Sequence, residues 1–330
     1  MWALLRSRPI RNGLEYESDR PRAFLAAAQP DFGVAAGAKR IPDTPACSGF
    51  CALANVPTMT TNDYAEPAAA LPSGRMPLLG FGTWQISNSH ATKAAANALE
   101  AGYRHIDTAT VYRNEAGIGK ALASTAVARE SVFVTTKLPP HHAGRERRTL
   151  GESLTKLGLD YVDLWLIHWP PHREAAPRVW EQLVNAQQEG LAKAVGVSNY
   201  SIGQIDELKQ ATGVSPQVNQ IRWGPSLYDP DMVAGLDERA VVLEGYSPFK
   251  VSNLHDPTLV SVAKRHNATT TQVIVAWHVA HGFVVIPKSV HRERIVANAA
   301  GARIQLTAEE VAAIDRLSRV ADAGSQRSPG

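Results

Sequence analysis

Four side chains in this 330-residue chain have the types and placement needed to put a proton on a carbonyl oxygen: Asp107, Tyr112, Lys137 and His168. Asp107, Lys137 and His168 each fall at or near the end of an apolar run suited to a buried parallel strand, at 105–108, 132–137 and 162–168. Tyr112 follows Asp107 in the next loop. A free phenol, with a pKa of about 10, is a poor acid at neutral pH. An ammonium about 4 Å away favours its ionised form by roughly 4 kcal/mol at an effective dielectric near 20. Lys137 would supply that charge, Asp107 would hold Lys137 charged and aimed, and His168 would donate to the substrate oxygen and orient it. Each residue has a plainer reading alone: an ordinary buried ion pair, a core histidine, a rim tyrosine. Their joint arrival at one rim favours a site that holds a carbonyl oxygen while a hydride reaches its carbon.

The elements that would carry these residues form a β-then-α rhythm. Further apolar runs lie at 78–82, 192–197, 217–219, 241–244 and 284–287, making eight in all. Amphipathic segments separate most of them, at 90–101, 115–124, 146–157, 177–189 and 201–212. Two more helices, 256–263 and 269–280, precede the last strand, and 308–319 closes the pattern. Ser201 and Thr307 stand where N-caps belong. Eight repeats with one layer of helices predict a single-domain (β/α)8 TIM barrel, which places its catalytic groups at the C-terminal ends of strands.

The competing Rossmann reading rests on Gly80-Phe81-Gly82-Thr83-Trp84-Gln85, but Gln85 stands where the third glycine belongs, and no acidic residue follows at the ribose position. Gly117-Ile118-Gly119-Lys120 lies inside a helical pattern and lacks phosphate-loop spacing.

Residues 1–75 are rich in Ala, Pro, Gly, Ser and Thr without sustained periodicity, and are expected to be a disordered N-terminal extension. The barrel is expected over 76–320 and a short tail over 321–330. Met59 is a candidate alternative start. A net charge of +3 without a basic block argues against a nucleic-acid partner. The two cysteines, Cys47 and Cys51, cannot staple a core of this size and point to a reducing compartment. No run approaches the roughly 18 to 20 apolar residues of a membrane span. Residues 1–10 lack the apolar stretch of a secretion signal, and Glu15, Glu17 and Asp19 argue against a transit peptide. A cytoplasmic monomer is expected.

At the catalytic residues the sequence resembles the aldo-keto reductase family. The segments that carry the likeness are 102–112, with Asp107 and Tyr112; Thr135-Thr136-Lys137; 157–170, with His168; Val197-Ser198-Asn199-Tyr200; and Ile286-Pro287-Lys288-Ser289. It is similar to the bacterial branch that includes diketogluconate reductases. The resemblance implies an NADPH-dependent reductase of small aldehydes, dicarbonyls or ketones, with Tyr112 as general acid. It implies that Ser198, Asn199 and Gln220 bind the nicotinamide carboxamide and that Tyr246 stacks on the ring. Thr83 and Asp107 would lie by the nicotinamide ribose and Ser247 near the pyrophosphate. Lys288, Ser289 and Arg294 would clasp the 2′-phosphate, with Asn298 near the adenine.

Trp84, Trp169 and Trp223 are expected to ring the substrate mouth beside Tyr112 and His168. The chain departs from the family at Ala297, where Glu is frequent, at Arg222-Trp223-Gly224-Pro225 after Gln220, and at Lys250, where glycine is frequent. Two other functions remain open: a catalytically weak cofactor-binding regulatory or structural member of the fold, and a metal-dependent barrel hydrolase using His141, His142, His168 and His172. The divergent directions of adjacent His141 and His142 count against the second, and no metal is expected.

Overall fold

The computed structural model describes residues 67–318. A two-stranded antiparallel hairpin, β1 (Ala68–Leu71) and β2 (Gly74–Pro77), comes first. Eight parallel strands follow: β3 (Phe81–Gly82), β4 (His105–Asp107), β5 (Phe133–Leu138), β6 (Val162–Ile167), β7 (Ala192–Ser198), β8 (Val218–Arg222), β9 (Val242–Tyr246) and β10 (Val284–Val285). Each pairs with the next in chain order. A parallel bridge between Leu79 and Val285 joins last to first, with Val285 N–H donating to Leu78 O at 2.7 Å and Gly80 N–H to Val285 O at 2.9 Å. The result is a closed (β/α)8 barrel.

Among the described residues ten helices accompany the strands: α1 (Asn88–Glu100), α2 (Glu115–Ser124), α3 (Glu146–Leu157), α4 (Pro177–Gln188), α5 (Ile202–Thr212), α6 (Pro230–Asp237), α7 (Pro257–Arg265), α8 (Thr270–Ala280), α9 (Arg292–Gly301) and α10 (Ala308–Asp315). Ser201, Thr269 and Thr307 cap α5, α8 and α10 in reciprocal boxes with Gln204, Gln272 and Glu310. Gly158 and Gly213 end α3 and α5 in the left-handed region, at φ 67° and 77°. Among the described residues no helix is long and apolar enough to cross a membrane.

Strand alternation divides the core in two. Outward residues such as Ile106, Val134, Trp165, Val195 and Leu243 pack with helix residues including Leu99, Leu150, Trp180 and Ile205. Inward residues Phe133, Leu164, Leu166, Ala194, Val218 and Val284 form a second cluster with Leu71 and Met76 of the hairpin. The hairpin therefore plugs the N-terminal end of the barrel, and the C-terminal end is left for chemistry.

Order thus begins earlier than the composition of residues 1–75 suggests. Ala68–Leu71 has weak strand propensity, and the hairpin is held by burying Leu71 and Met76 in the barrel. Residues 1–66, with both cysteines and Met59, and the tail from 319 onward lie outside the described residues. Two helices escape the sequence pattern. α6 has eight residues and one fully buried position, Leu236, while α9 is alanine-rich and buries only Ile295, Asn298 and Gly301. Neither presents a full apolar stripe.

Gly117 and Gly119 are packing glycines of α2. A Cβ on Gly119 would lie 2.6 Å from the carbonyl oxygens of both Lys156 and Leu157 at the end of α3. Gly119→Ala should destabilise the fold by about 1–3 kcal/mol through overpacking, read as a lower urea midpoint at unchanged m-value; an unshifted midpoint would show that α3 yields freely.

Candidate active site

The inward faces of β4 and β5 bring Asp107 and Lys137 together at the C-terminal end of the barrel. Lys137 Nζ donates to Asp107 Oδ1 and Oδ2, both at 2.7 Å, and to Thr108 O at 2.9 Å. Lys137 is fully buried and Asp107 nearly so. Gln220 Nε2 adds a 2.9 Å hydrogen bond to Asp107 Oδ2. Burial is the largest influence on Lys137 and opposes its charge. The attraction of Asp107, with that of Tyr112 and Glu244, more than offsets it and holds the lysine above its ordinary pKa. The ammonium is permanent at neutral pH.

Tyr112 reaches this ammonium from a single 3-10 turn, Thr110–Tyr112, that follows β4. Lys137 Nζ lies 5.1 Å from the centroid of its ring. Burial pushes the phenol up to about 12, against the pull of Lys137's charge and hydrogen bonding, and the charge of Asp107, with that of Glu244 when ionised, adds to the rise. Sequence reasoning had the ammonium favouring phenolate. Desolvation outweighs that attraction and keeps the Tyr112 phenol neutral at pH 7. His168, just past β6, meets the Tyr112 ring edge-on with centroids 5.6 Å apart. Burial, then Lys137, drops its pKa to about 3, so the imidazole is neutral.

Two residues that sequence reasoning missed fasten the Tyr112 turn. Thr110 Oγ1 donates to Lys137 O at 2.9 Å, tying the turn to β5. Asn114, fully buried, donates to Thr83 O at 2.9 Å and Ile86 O at 3.0 Å and accepts from Thr108 Oγ1 at 2.8 Å. Ahead of a helix, Asn114 reads as an ordinary N-cap. Its side chain makes no cap bond and clamps the loops after β3 and β4 together.

The other expected site residues divide into those assembled at the rim and those engaged elsewhere. Asn199, at φ 63°, donates to Ser198 Oγ at 2.9 Å and to His168 O at 3.3 Å, and accepts from Tyr246 Oη at 2.9 Å. Ser198 Oγ donates to Gln220 O at 2.8 Å. Ser198, Asn199, Gln220 and Tyr246, with the His168 carbonyl, form one hydrogen-bonded group beside the ion pair. Ser247 follows Tyr246 at φ 56°. Thr83 is fully buried, and its hydroxyl donates to Asp107 O at 2.8 Å, so it braces the strand end.

After β10, Lys288 is exposed and Arg294 is exposed in the first turn of α9, and neither has an ion-pair partner among the described residues. Ser289 Oγ accepts from His291 N at 3.1 Å, and Asn298 is buried one turn beyond Arg294.

Trp84 and Trp169 are about half exposed, at 46% and 49%. Lys250 Nζ covers Trp84 at 4.6 Å from its centroid. Trp223 does not join them. It is 3% exposed and packs edge-on against Tyr228 and Phe283, at 6.2 and 6.1 Å. Strand parity is the reason: Gln220 faces the axis, so Arg222 shares its side and Trp223 falls on the helix side. His141 and His142 stack edge-on at 4.6 Å, and no group of three or more potential metal-ligating residues occurs among the described residues.

A closed (β/α)8 barrel with a buried lysine–aspartate pair, a tyrosine and a histidine at its C-terminal rim is of the barrel oxidoreductase class. The profile of the Aldo/keto reductase family matches residues 78–319, and the chain belongs to that family. Methylglyoxal reductase DkgA of Yersinia pestis is 39% identical over 269 residues, spanning 80% of this chain and 96% of the relative. Glycerol 2-dehydrogenase (NADP(+)) of Saccharomyces cerevisiae is 35% identical, over 79% of this chain and 93% of its own. The crystal structure of an aldo/keto reductase from Brucella melitensis superposes with a TM-score of 0.73 at 38% identity, covering 77% of this chain and all of that one. A Bombyx mori aldo-keto reductase in complex with NADP gives 0.71 at 34% identity, with 77% and 93% covered.

Removing one charge of the buried pair strands the other. Lys137→Met should cost about 3–5 kcal/mol of stability, and Lys137→Met with Asp107→Asn should recover a large part of it. Urea unfolding of both variants checks this; equal losses would show that packing, not the unpaired carboxylate, sets the cost.

Proposed function

We propose that this chain reduces aldehydes, dicarbonyls or ketones to alcohols with NADPH, and that Tyr112 is the general acid. The observation that carries the reading is the neutral phenol of Tyr112 lying between the permanent Lys137 ammonium and the neutral His168 ring. Relatives named for methylglyoxal reduction and for NADP(+), and a neighbouring structure holding NADP, support the same substrate class and cofactor.

The residues present fit such a cofactor. Ser198, Asn199, Gln220 and Tyr246 offer a cluster of amides and hydroxyls beside an aromatic face, suited to the nicotinamide carboxamide and ring. Asp107 and Thr83 would lie toward the ribose, and Ser247 toward the pyrophosphate. Lys288, Ser289, Arg294 and Asn298 bring two unpaired cations and short polar groups to the start of α9, where amide donors also favour a phosphate. Bound there, NADPH supplies the hydride.

The chain's own residues do the rest. His168, uncharged, orients the carbonyl oxygen through its N–H without competing for the proton. Tyr112 gives its hydroxyl proton to that oxygen as negative charge builds there. Lys137, 5.1 Å from the ring centroid, then faces the phenolate left behind and stabilises it by charge attraction. Asp107 keeps Lys137 from approaching further and fixes its direction. Trp84 and Trp169 give the mouth an apolar wall for a small organic carbonyl. The catalytic unit is the barrel with its β1–β2 plug, from Ala68 onward, acting in this reading as a cytoplasmic monomer.

Tyr112→Phe should lower kcat for aldehyde reduction by about 10²–10⁴-fold while NADPH still quenches tryptophan fluorescence at a similar concentration. A phenylalanine variant with most of its kcat would remove Tyr112 from the reaction. Arg294→Ala should weaken NADPH binding about tenfold or more and NADH binding far less. Equal losses in the two titrations would place the 2′-phosphate elsewhere.

A further inference from the structure

Below the catalytic residues the barrel interior turns polar, where branched apolar side chains usually fill such a core. Glu244 on β9 and His105 on β4 are both fully buried, with Glu244 Oε1 3.8 Å from His105 Nε2. His105 Nε2 also meets Thr135 Oγ1 at 3.1 Å. Gly80 makes room for the imidazole, since a Cβ there would lie 2.5 Å from His105 Nδ1. Neither oxygen of Glu244 has a hydrogen-bond partner among the described residues. An ionised carboxylate in that position is costly, whereas a protonated one is far less so. Burial raises the pKa of Glu244 to about 8, the charge of Asp107 adds to the rise, and Gln220 and Lys137 oppose it.

The groups that face Glu244 come from every element around it. β4 contributes His105 and Asp107, β5 contributes Lys137, and the turn after β4 contributes Tyr112. β8 contributes Gln220, directly opposite in register, while β10 places apolar Val284 on the other side. His278 of α8 lies behind Gly245, on the helix side of the wall. His105 and His168 are held near 3, His278 near 4 and Tyr112 near 12, and Lys137 is raised. Those shifted neighbours hold their charge states between pH 7 and 9.

We propose that Glu244 is a positioning residue for proton transfer, acting through Lys137: its protonated form leaves the ammonium's field to Asp107 and Tyr112, and its ionised form divides that field and weakens the Tyr112 acid. On ionisation the proton passes to solvent and one negative charge is added beneath the ion pair. The inference deepens the carbonyl-reductase reading and rests on it.

The test compares wild type with Glu244→Gln, which keeps the shape of the protonated acid. Benzaldehyde reduction is followed at saturating NADPH from pH 6 to 9.5. Wild-type kcat should fall roughly three- to tenfold to a lower plateau through about pH 8, and the Glu244→Gln profile should lack that step. A step of the same size and midpoint in both would overturn the proposal.

Urea midpoints between pH 5 and 9 give a second readout that needs no activity. The folded pKa lies above the unfolded value, so the folded state holds a proton that the unfolded state has released. The resulting stability is complete below the unfolded pKa of 4.5 and is lost as pH rises through about 8. Wild type should lose this increment and Glu244→Gln should not; parallel curves would overturn the buried proton. A wild type that reduces no aldehyde at any pH would sink the reductase reading instead, and the unfolding curves would still decide the state of Glu244.

Discussion

The site depends on one buried ion pair. Taking an ammonium and a carboxylate out of water costs several kcal/mol each, and their attraction repays that only with close geometry and further hydrogen bonds. Here both oxygens of Asp107 accept from Lys137 at 2.7 Å, Gln220 supplies an extra donor, and Thr108 supplies an extra acceptor. Everything around the pair is arranged to keep it dry and immobile. Thr83 holds the backbone of Asp107, Thr110 holds that of Lys137, and Asn114 joins the two loops above them.

That arrangement decides what Tyr112 is. A bare ammonium in water would make a phenol more acidic, but the same burial that keeps Lys137 effective also penalises the phenolate. The balance leaves a neutral phenol beside a fixed positive charge; in the proposed reaction its proton departs only as an oxyanion forms within reach, and that charge receives the phenolate. A neutral His168 fits the same economy of charge, since a second cation beside Lys137 would be costly. The barrel supplies the geometry through alternation: strand residues two apart share a face, so Asp107 sits above His105, Lys137 above Thr135, and Tyr246 above Glu244.

Much of this was legible in the sequence because parallel strands buried on both faces leave continuous apolar runs, and all eight such runs became barrel strands. A helix with a fuller apolar stripe, α4 with Val179, Trp180, Leu183 and Val184 buried, was legible through its period, and the helix after Ser201 through its cap. What failed did so where tertiary contacts override local pattern. The β1–β2 hairpin, alanine-rich and short, is ordered by the hydrophobic plug it makes. α6 buries only Leu236, and α9 is alanine-rich and starts without a side-chain cap, so neither shows a clear pattern. Asp107, Tyr112, Lys137 and His168 converge as their placement on strand ends implies. Trp223 is misplaced by sequence reasoning because one residue of strand parity sends it to the helix side. Asn114 hides because a clamp and an N-cap look alike in sequence.

The protonation state of Tyr112 is the most direct test of this account. With ¹³Cζ-labelled tyrosine, the Tyr112 resonance is assigned as the one missing from Tyr112→Phe and followed by NMR as pH is raised. The account predicts a neutral phenol signal from pH 6 through pH 10. A signal at the phenolate position at pH 7 would contradict it, because the ammonium would then have overcome burial and left no proton to give.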